Sequence, residues 1–180
     1  MSNKTIKNNT KQYAMYFGTY LGIYMILKFI LFPLAFIIPF LSFLFLGLTL
    51  AVPFVSYYYL KTYRNKAKGG YINFWEAYSF CIRVYFYASL LVAIAHFIYF
   101  QYIDQGFIID HLYAQVNTLL EAGAEHEDFE ALKESLMTTL DNFASLSPRD
   151  LTFNNLSFNI TFGFIIGIPT ALLVRKKNIR

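Results

Sequence analysis

The sequence predicts an all-α fold, a four-transmembrane-helix bundle with an amphipathic helical segment between spans 3 and 4. Three observations carry that expectation. Apolar residues make up 57% of the 180 and charged residues only 14%, where a soluble domain carries about a quarter charged residues. The apolar residues gather in runs long enough to cross a bilayer, which needs about 20 residues. The charges are segregated by sign between successive connecting segments.

The first apolar run extends from Tyr13 to Leu60, too long for one crossing. Pro33 and Pro39 bracket five apolar residues near its middle. Proline removes a backbone donor and disfavours helical geometry in the residue before it. The run therefore divides into span 1, residues 13–32, and span 2, residues 40–60, joined as a tight antiparallel hairpin. Tyr57, Tyr58 and Tyr59 close span 2 as an aromatic belt. A polar basic loop, Lys61 to Gly70, follows. Span 3 covers residues 74–102, longer than a bilayer requires. Span 4 covers residues 156–174 and ends at Arg175-Lys176-Lys177. The whole chain is expected to form a single membrane domain, with a helical insert over residues 104–150.

That insert has a different pattern. Ile109, Leu112, Tyr113, Val116, Leu119 and Leu120 recur at helical spacing, as do Phe129, Leu132, Leu136, Leu140 and Phe143. Two amphipathic helices outside the bilayer are expected, their apolar faces buried on each other, on a partner or in the headgroup layer. Ser147-Pro148-Arg149-Asp150 has the form of a helix start, with a capping serine, a first-turn proline and an acid three residues on.

Charge sets the expected orientation. Lys4, Lys7 and Lys11 precede span 1; Lys61, Arg64, Lys66 and Lys68 separate spans 2 and 3; Arg175, Lys176, Lys177 and Arg180 follow span 4. The connection between spans 3 and 4 instead holds ten acids against Lys133 and Arg149. The positive-inside rule places the termini and the 2–3 loop in the cytoplasm. All three basic segments share one side only if the spans number four. The basic residues are expected to meet lipid headgroups and not nucleic acid.

Ionisable residues inside spans are costly and are the functional candidates. There are four: Glu76, Arg83, Lys28 and His96. Glu76 and Arg83 lie seven residues apart on one face of span 3. They could line a polar pocket or ion path, with Lys28 contributing. The plainer expectation is structural: Arg83 bonded to carbonyls or a tyrosine hydroxyl, Glu76 countering Lys66 or Lys68, and Lys28 reaching for the interface. His111 and Glu125-His126-Glu127-Asp128 could meet a divalent cation, but no fixed ligand spacing supports this. Cys81, the single cysteine, is expected to be a buried thiol. Gly18-x-x-x-Gly22 and Gly163-x-x-x-Gly167 have spacing suited to close helix packing, which would make spans 1 and 4 neighbours or an oligomer face. No catalytic, phosphate-binding or dinucleotide motif occurs, so no enzyme activity, cofactor or metal is expected.

Lys68-Gly69-Gly70-Tyr71-Ile72-Asn73-Phe74-Trp75-Glu76-Ala77-Tyr78 opens span 3, with Tyr102-Ile103-Asp104 and Gly163-Phe164-Ile165-Ile166-Gly167-Ile168 further on. Together these resemble a family of small, uncharacterised bacterial membrane proteins of Bacteroidetes type, domain of unknown function 4199. The resemblance covers nearly the whole chain. It implies four spans and the inner membrane, and brings no activity or ligand. The expected role is that of a non-enzymatic interaction protein in the lipid bilayer, whose extracytoplasmic helices bind itself or another membrane protein. The alternative is a small transporter or channel using Glu76 and Arg83.

Overall fold

A computed structural model describes residues 3–123 and 129–176. Helix α1 spans Asn3–Ile37, α2 Phe40–Ala67, α3 Phe74–Ile98, α4 Phe107–Gly123, α5 Phe129–Ala144 and α6 Pro148–Val174. A π-helical turn, Tyr99–Ile103, prolongs α3. No strand occurs among the described residues; the sole extended pairing there is an isolated bridge between Ile72 and Lys176. Among the described residues, four helices are long and apolar enough to cross a membrane: Thr10–Ile37, Phe40–Ala67, Phe74–Ile103 and Pro148–Val174.

The chain divides into two compact units, one formed by residues 1–95 and 154–180, the other by residues 96–153. In the first, α1 and α2 form the expected antiparallel hairpin. Phe17 stacks on Tyr59 at 4.7 Å between ring centroids, and Phe32 meets Phe45 at 5.6 Å. Between these levels the Tyr24 hydroxyl donates to the Leu48 carbonyl at 2.6 Å. The turn is Ile38-Pro39, tightened by Leu41 N–H donating to Ile38 O and Ser42 N–H to Pro39 O. Pro39 starts α2 because its fixed φ suits a first helical turn and its missing donor has no partner there anyway.

Pro33 behaves differently from expectation. α1 continues through it to Ile37, so Pro39 alone makes the break. An interior proline loses one hydrogen bond, a loss that membrane helices tolerate through local adjustment and neighbouring groups. Likewise α2 continues to Ala67, so most of the expected basic loop is helical. Its Lys and Arg side chains are good helix formers and carry α2 beyond its apolar part.

The core of this unit gathers on α3. In its apolar window 39% of residues are buried, against 17% for α1, 11% for α2 and 28% for α6. Phe80 stacks flat on Tyr63 of α2, with centroids 3.8 Å apart. The Ser56 hydroxyl lies 2.7 Å from the Tyr85 hydroxyl and 3.0 Å from the Val52 carbonyl. Gly18 and Gly22 of α1 press on Tyr87, Ala88 and Leu91. Gly163 and Gly167 of α6 press on Tyr85, Tyr78 and Cys81. The two glycine pairs thus do not join spans 1 and 4 to each other. Each lets its own helix approach α3, because the missing Cβ leaves room for α3 side chains.

In the second unit α4 and α5 pack together, with Leu120 and Leu140 buried. The Tyr113 hydroxyl donates to the Asp141 carboxylate at 2.6 Å. The expected start of α6 forms as a reciprocal cap. Ser147 donates to Asp150 Oδ2 from its hydroxyl at 2.6 Å and from its N–H at 3.2 Å, and Asp150 N–H donates to the Ser147 hydroxyl at 3.3 Å. This satisfies donors that the first turn leaves open.

Candidate functional site

In the first unit, Glu76, Arg83 and Lys28 form no hydrogen bond or ion pair with one another. Glu76 occupies the third position of α3 and forms an ion pair with Lys68, Nζ to Oε1, at 3.0 Å. Asn73 caps the same helix end, its Oδ1 accepting from the Glu76 N–H at 2.8 Å. A carboxylate there also faces the positive end of the helix dipole. Of the two partners expected for Glu76, Lys68 is the one engaged.

Arg83 does not meet Glu76. It stands on the exposed face of α3, and it makes no hydrogen bond or ion pair with any described residue. Neither carbonyls nor tyrosine hydroxyls hold it, contrary to the structural expectation. The reason is rotational. Position 83 belongs to the stripe of Trp75, Ser79, Phe86, Leu90 and Ile94, all exposed, while Ala77, Phe80, Val84 and Ala88 face the core. An arginine at a helix centre in the membrane costs about 2.5–3.5 kcal/mol.

Lys28 is half-buried on α1, and its Nζ lies 5.2 Å from the centre of the Phe45 ring. Such a contact is worth about 0.5–1 kcal/mol at an exposed site and more when desolvated. His96 is buried, with Phe100 edge-on at 6.0 Å. His111 turns back on its own helix, with Nδ1 2.8 Å from the Phe107 carbonyl oxygen. Residues 125–128, including His126, lie outside the described residues. Among the described residues no three His, Cys, Asp or Glu side chains come together as a metal site. Cys81 is a buried free thiol.

A polar cluster that the sequence alone did not suggest lies where α2 and α6 end and α3 begins. Arg64 donates from Nη1 to the Val174 carbonyl at 2.9 Å, capping the last turn of α6 from α2. Its own carbonyl accepts from the N–H groups of Lys68 and Gly70. Gly69 and Gly70 have φ of 63° and 89°, a left-handed backbone that glycine alone adopts without strain. The chain thereby turns so that Ile72 and Lys176 exchange both hydrogen bonds, at 3.0 and 3.1 Å. Lys176 Nζ sits 5.7 Å from the Tyr71 ring centre, and Ile72 is buried. The cluster fastens the segment after α6 to the α2–α3 loop. The signals were present as a glycine pair after a basic helix end and as Asn-x-x-Glu at the next helix start.

The sequence model of a family described as Protein of unknown function (DUF4199) matches residues 16–176. The chain belongs to the DUF4199 family. No curated protein matches it, and no solved structure does. The DUF4199 match and the four apolar helices make this a membrane protein, with no activity attached to the family. The Gly-Gly-Tyr-Ile-Asn-Phe-Trp-Glu-Ala segment, on which the family resemblance rests, has a structural job in this chain. Its glycines turn the loop, Ile72 pairs with Lys176, Asn73 caps α3, Glu76 holds Lys68, and Ala77 packs in the core.

Proposed function

We propose that this DUF4199 protein is a non-enzymatic interaction protein of the inner membrane, and that its α4–α5 pair docks a second copy or another membrane protein. One observation carries the reading. Leu119 on α4 and Leu132 on α5 are 63% and 51% exposed, although both lie outside the four candidate spans. Apolar side chains left open outside a bilayer favour burial on a partner. The positive-inside rule puts this pair on the extracytoplasmic side, with both termini and the α2–α3 loop in the cytoplasm. The absence of converging nucleophiles, bases or ligands among the candidates supports a role in association. Transport along a path lined by Glu76 and Arg83 draws less support, since Glu76 is engaged by Lys68 and Arg83 points away from the core.

In-membrane crosslinking followed by blue-native electrophoresis tests the proposal. The wild-type protein should run as a discrete complex that Leu119→Glu with Leu132→Glu dissolves. A wild-type protein that is strictly monomeric and partnerless defeats it.

A further inference from the structure

We propose that Arg83 holds the phosphate of an anionic phospholipid against the open face of α3, in the leaflet nearest the α2–α3 loop. This goes beyond the docking role of α4–α5 and does not depend on it.

The argument begins with an uncompensated charge. Arg83 lies within a membrane span, on its exposed face, with no ion pair or hydrogen bond to any described residue. A guanidinium does not lose its proton in a protein, so a counter-charge must come from outside the chain. A second copy of this chain is a poor source. Of the two carboxylates in its candidate spans, Glu76 is already neutralised by Lys68 at 3.0 Å, and Asp150 is held in the reciprocal cap with Ser147 at the start of α6.

Geometry favours a lipid phosphate. Trp75, 72% exposed, sits at the start of α3 and suits the headgroup level. Arg83 is eight residues further along, about 12 Å deeper at the backbone. Helical side chains tilt toward the helix N-terminus, which for α3 is the loop end. The long arginine stem therefore leans back toward the level of Trp75 along apolar surface, with its charged head leading. Ser79, exposed one turn before Arg83, shares that lane and makes no hydrogen bond to a described residue. It offers a hydroxyl to the same phosphate. Lys66, Lys68, Arg175 and Lys176 make this end of the bundle positive, which enriches anionic lipid around it. A guanidinium binds phosphate through two parallel N–H groups, which gives the site geometry as well as charge.

Native mass spectrometry of the full-length protein, titrated with phosphatidylglycerol or phosphatidylcholine, tests the inference. The wild type should retain phosphatidylglycerol preferentially. R83Q should bind it more weakly by roughly ten-fold or more, the loss of a charge-assisted hydrogen-bonded contact, while K66Q at the exposed end of α2 removes one diffuse charge and costs a clearly smaller factor. Equal losses in R83Q and K66Q would mean diffuse attraction and overturn the site, as would equal retention of the two lipids by the wild type. Excess inorganic phosphate should leave the lipid bound; displacement would assign the site to a free anion and reject the lipid. If R83Q does not fold, a photoactivatable phosphatidylglycerol on the wild type decides. Its adducts should map to α3 around Ser79 and Arg83, and adducts elsewhere only, or on partner protein at Arg83, refute the proposal.

Discussion

Gly163 lies so close to Tyr85 that a Cβ on Gly163 would fall 2.5 Å from the Tyr85 Cβ and 2.6 Å from its Cγ. Both of those atoms sit near the α3 backbone and cannot swing aside. The contact fixes how near α6 comes to α3, the helix on which α1 and α2 also pack. Gly163→Ala should therefore destabilise the bundle by about 1–3 kcal/mol, the usual cost of overpacking. Gly47, with nothing within 4 Å of an added Cβ, is the control. There alanine should be neutral or stabilising by up to about 1 kcal/mol through helix propensity. Thermal unfolding in detergent compares the two; equal midpoints would contradict the packing assigned to Gly163.

The loop that fastens the segment after α6 depends on backbone conformation. A Cβ on Gly70 would meet nothing within 4 Å, yet its φ is 89°. Gly70→Ala should thus act through the main chain alone, at about 1–2 kcal/mol for a left-handed L-residue. The expected readout is faster hydrogen exchange at the Ile72 and Lys176 amides, with the interior of α3 unchanged. Unaltered exchange at both amides would mean that the bridge does not rely on this turn.

The α4–α5 pair carries an alkaline sensitivity. The hydrogen bond from Tyr113 to Asp141, with the carboxylate's charge and slight desolvation adding to it, raises the Tyr113 phenol above its ordinary value of 10.0. A native pKa above the unfolded one means that the protonated phenol is favoured when the helices are paired. That contribution is complete below the ordinary tyrosine value and is lost as pH climbs through the raised one. The group is exposed, so the effect is small. The spacing between labels on α4 and α5, followed upward through the tyrosine range, should widen in the wild type and lose that step in Tyr113→Phe. A step that persists in the variant would belong to another group.

How legible this was in the sequence varies by element. Pro39 marks a helix boundary because its backbone chemistry is local, and Ser147 with Asp150 marks another for the same reason. Charge segregation fixes the parity of the spans without any contact being known. Arg64 and Val174 are different: 110 positions separate them, and nothing local to either announces the other. The glycine spacings on α1 and α6 foretell a close approach but not its partner, which is α3 in both cases. Arg83 was the hardest to place. A span that is apolar all round has no polar face to mark its outside, so the sequence could not say which way position 83 turns. Glu76 was easier, because Asn73 and Lys68 are near neighbours in the chain.

The proposed topology, in which charge segregation assigns α4–α5 and the three basic segments to opposite sides of the membrane, is most directly tested by labelling. Native Cys81 is buried, 3% exposed, and gives little background. Single cysteines at the exposed positions Asn117 on α4 and Lys66 at the end of α2 would be challenged with a membrane-impermeant maleimide in intact cells whose outer envelope has been opened. The account predicts that N117C reacts at once and that K66C reacts only after the inner membrane is permeabilised. Both reacting from the same side would contradict the four-span arrangement.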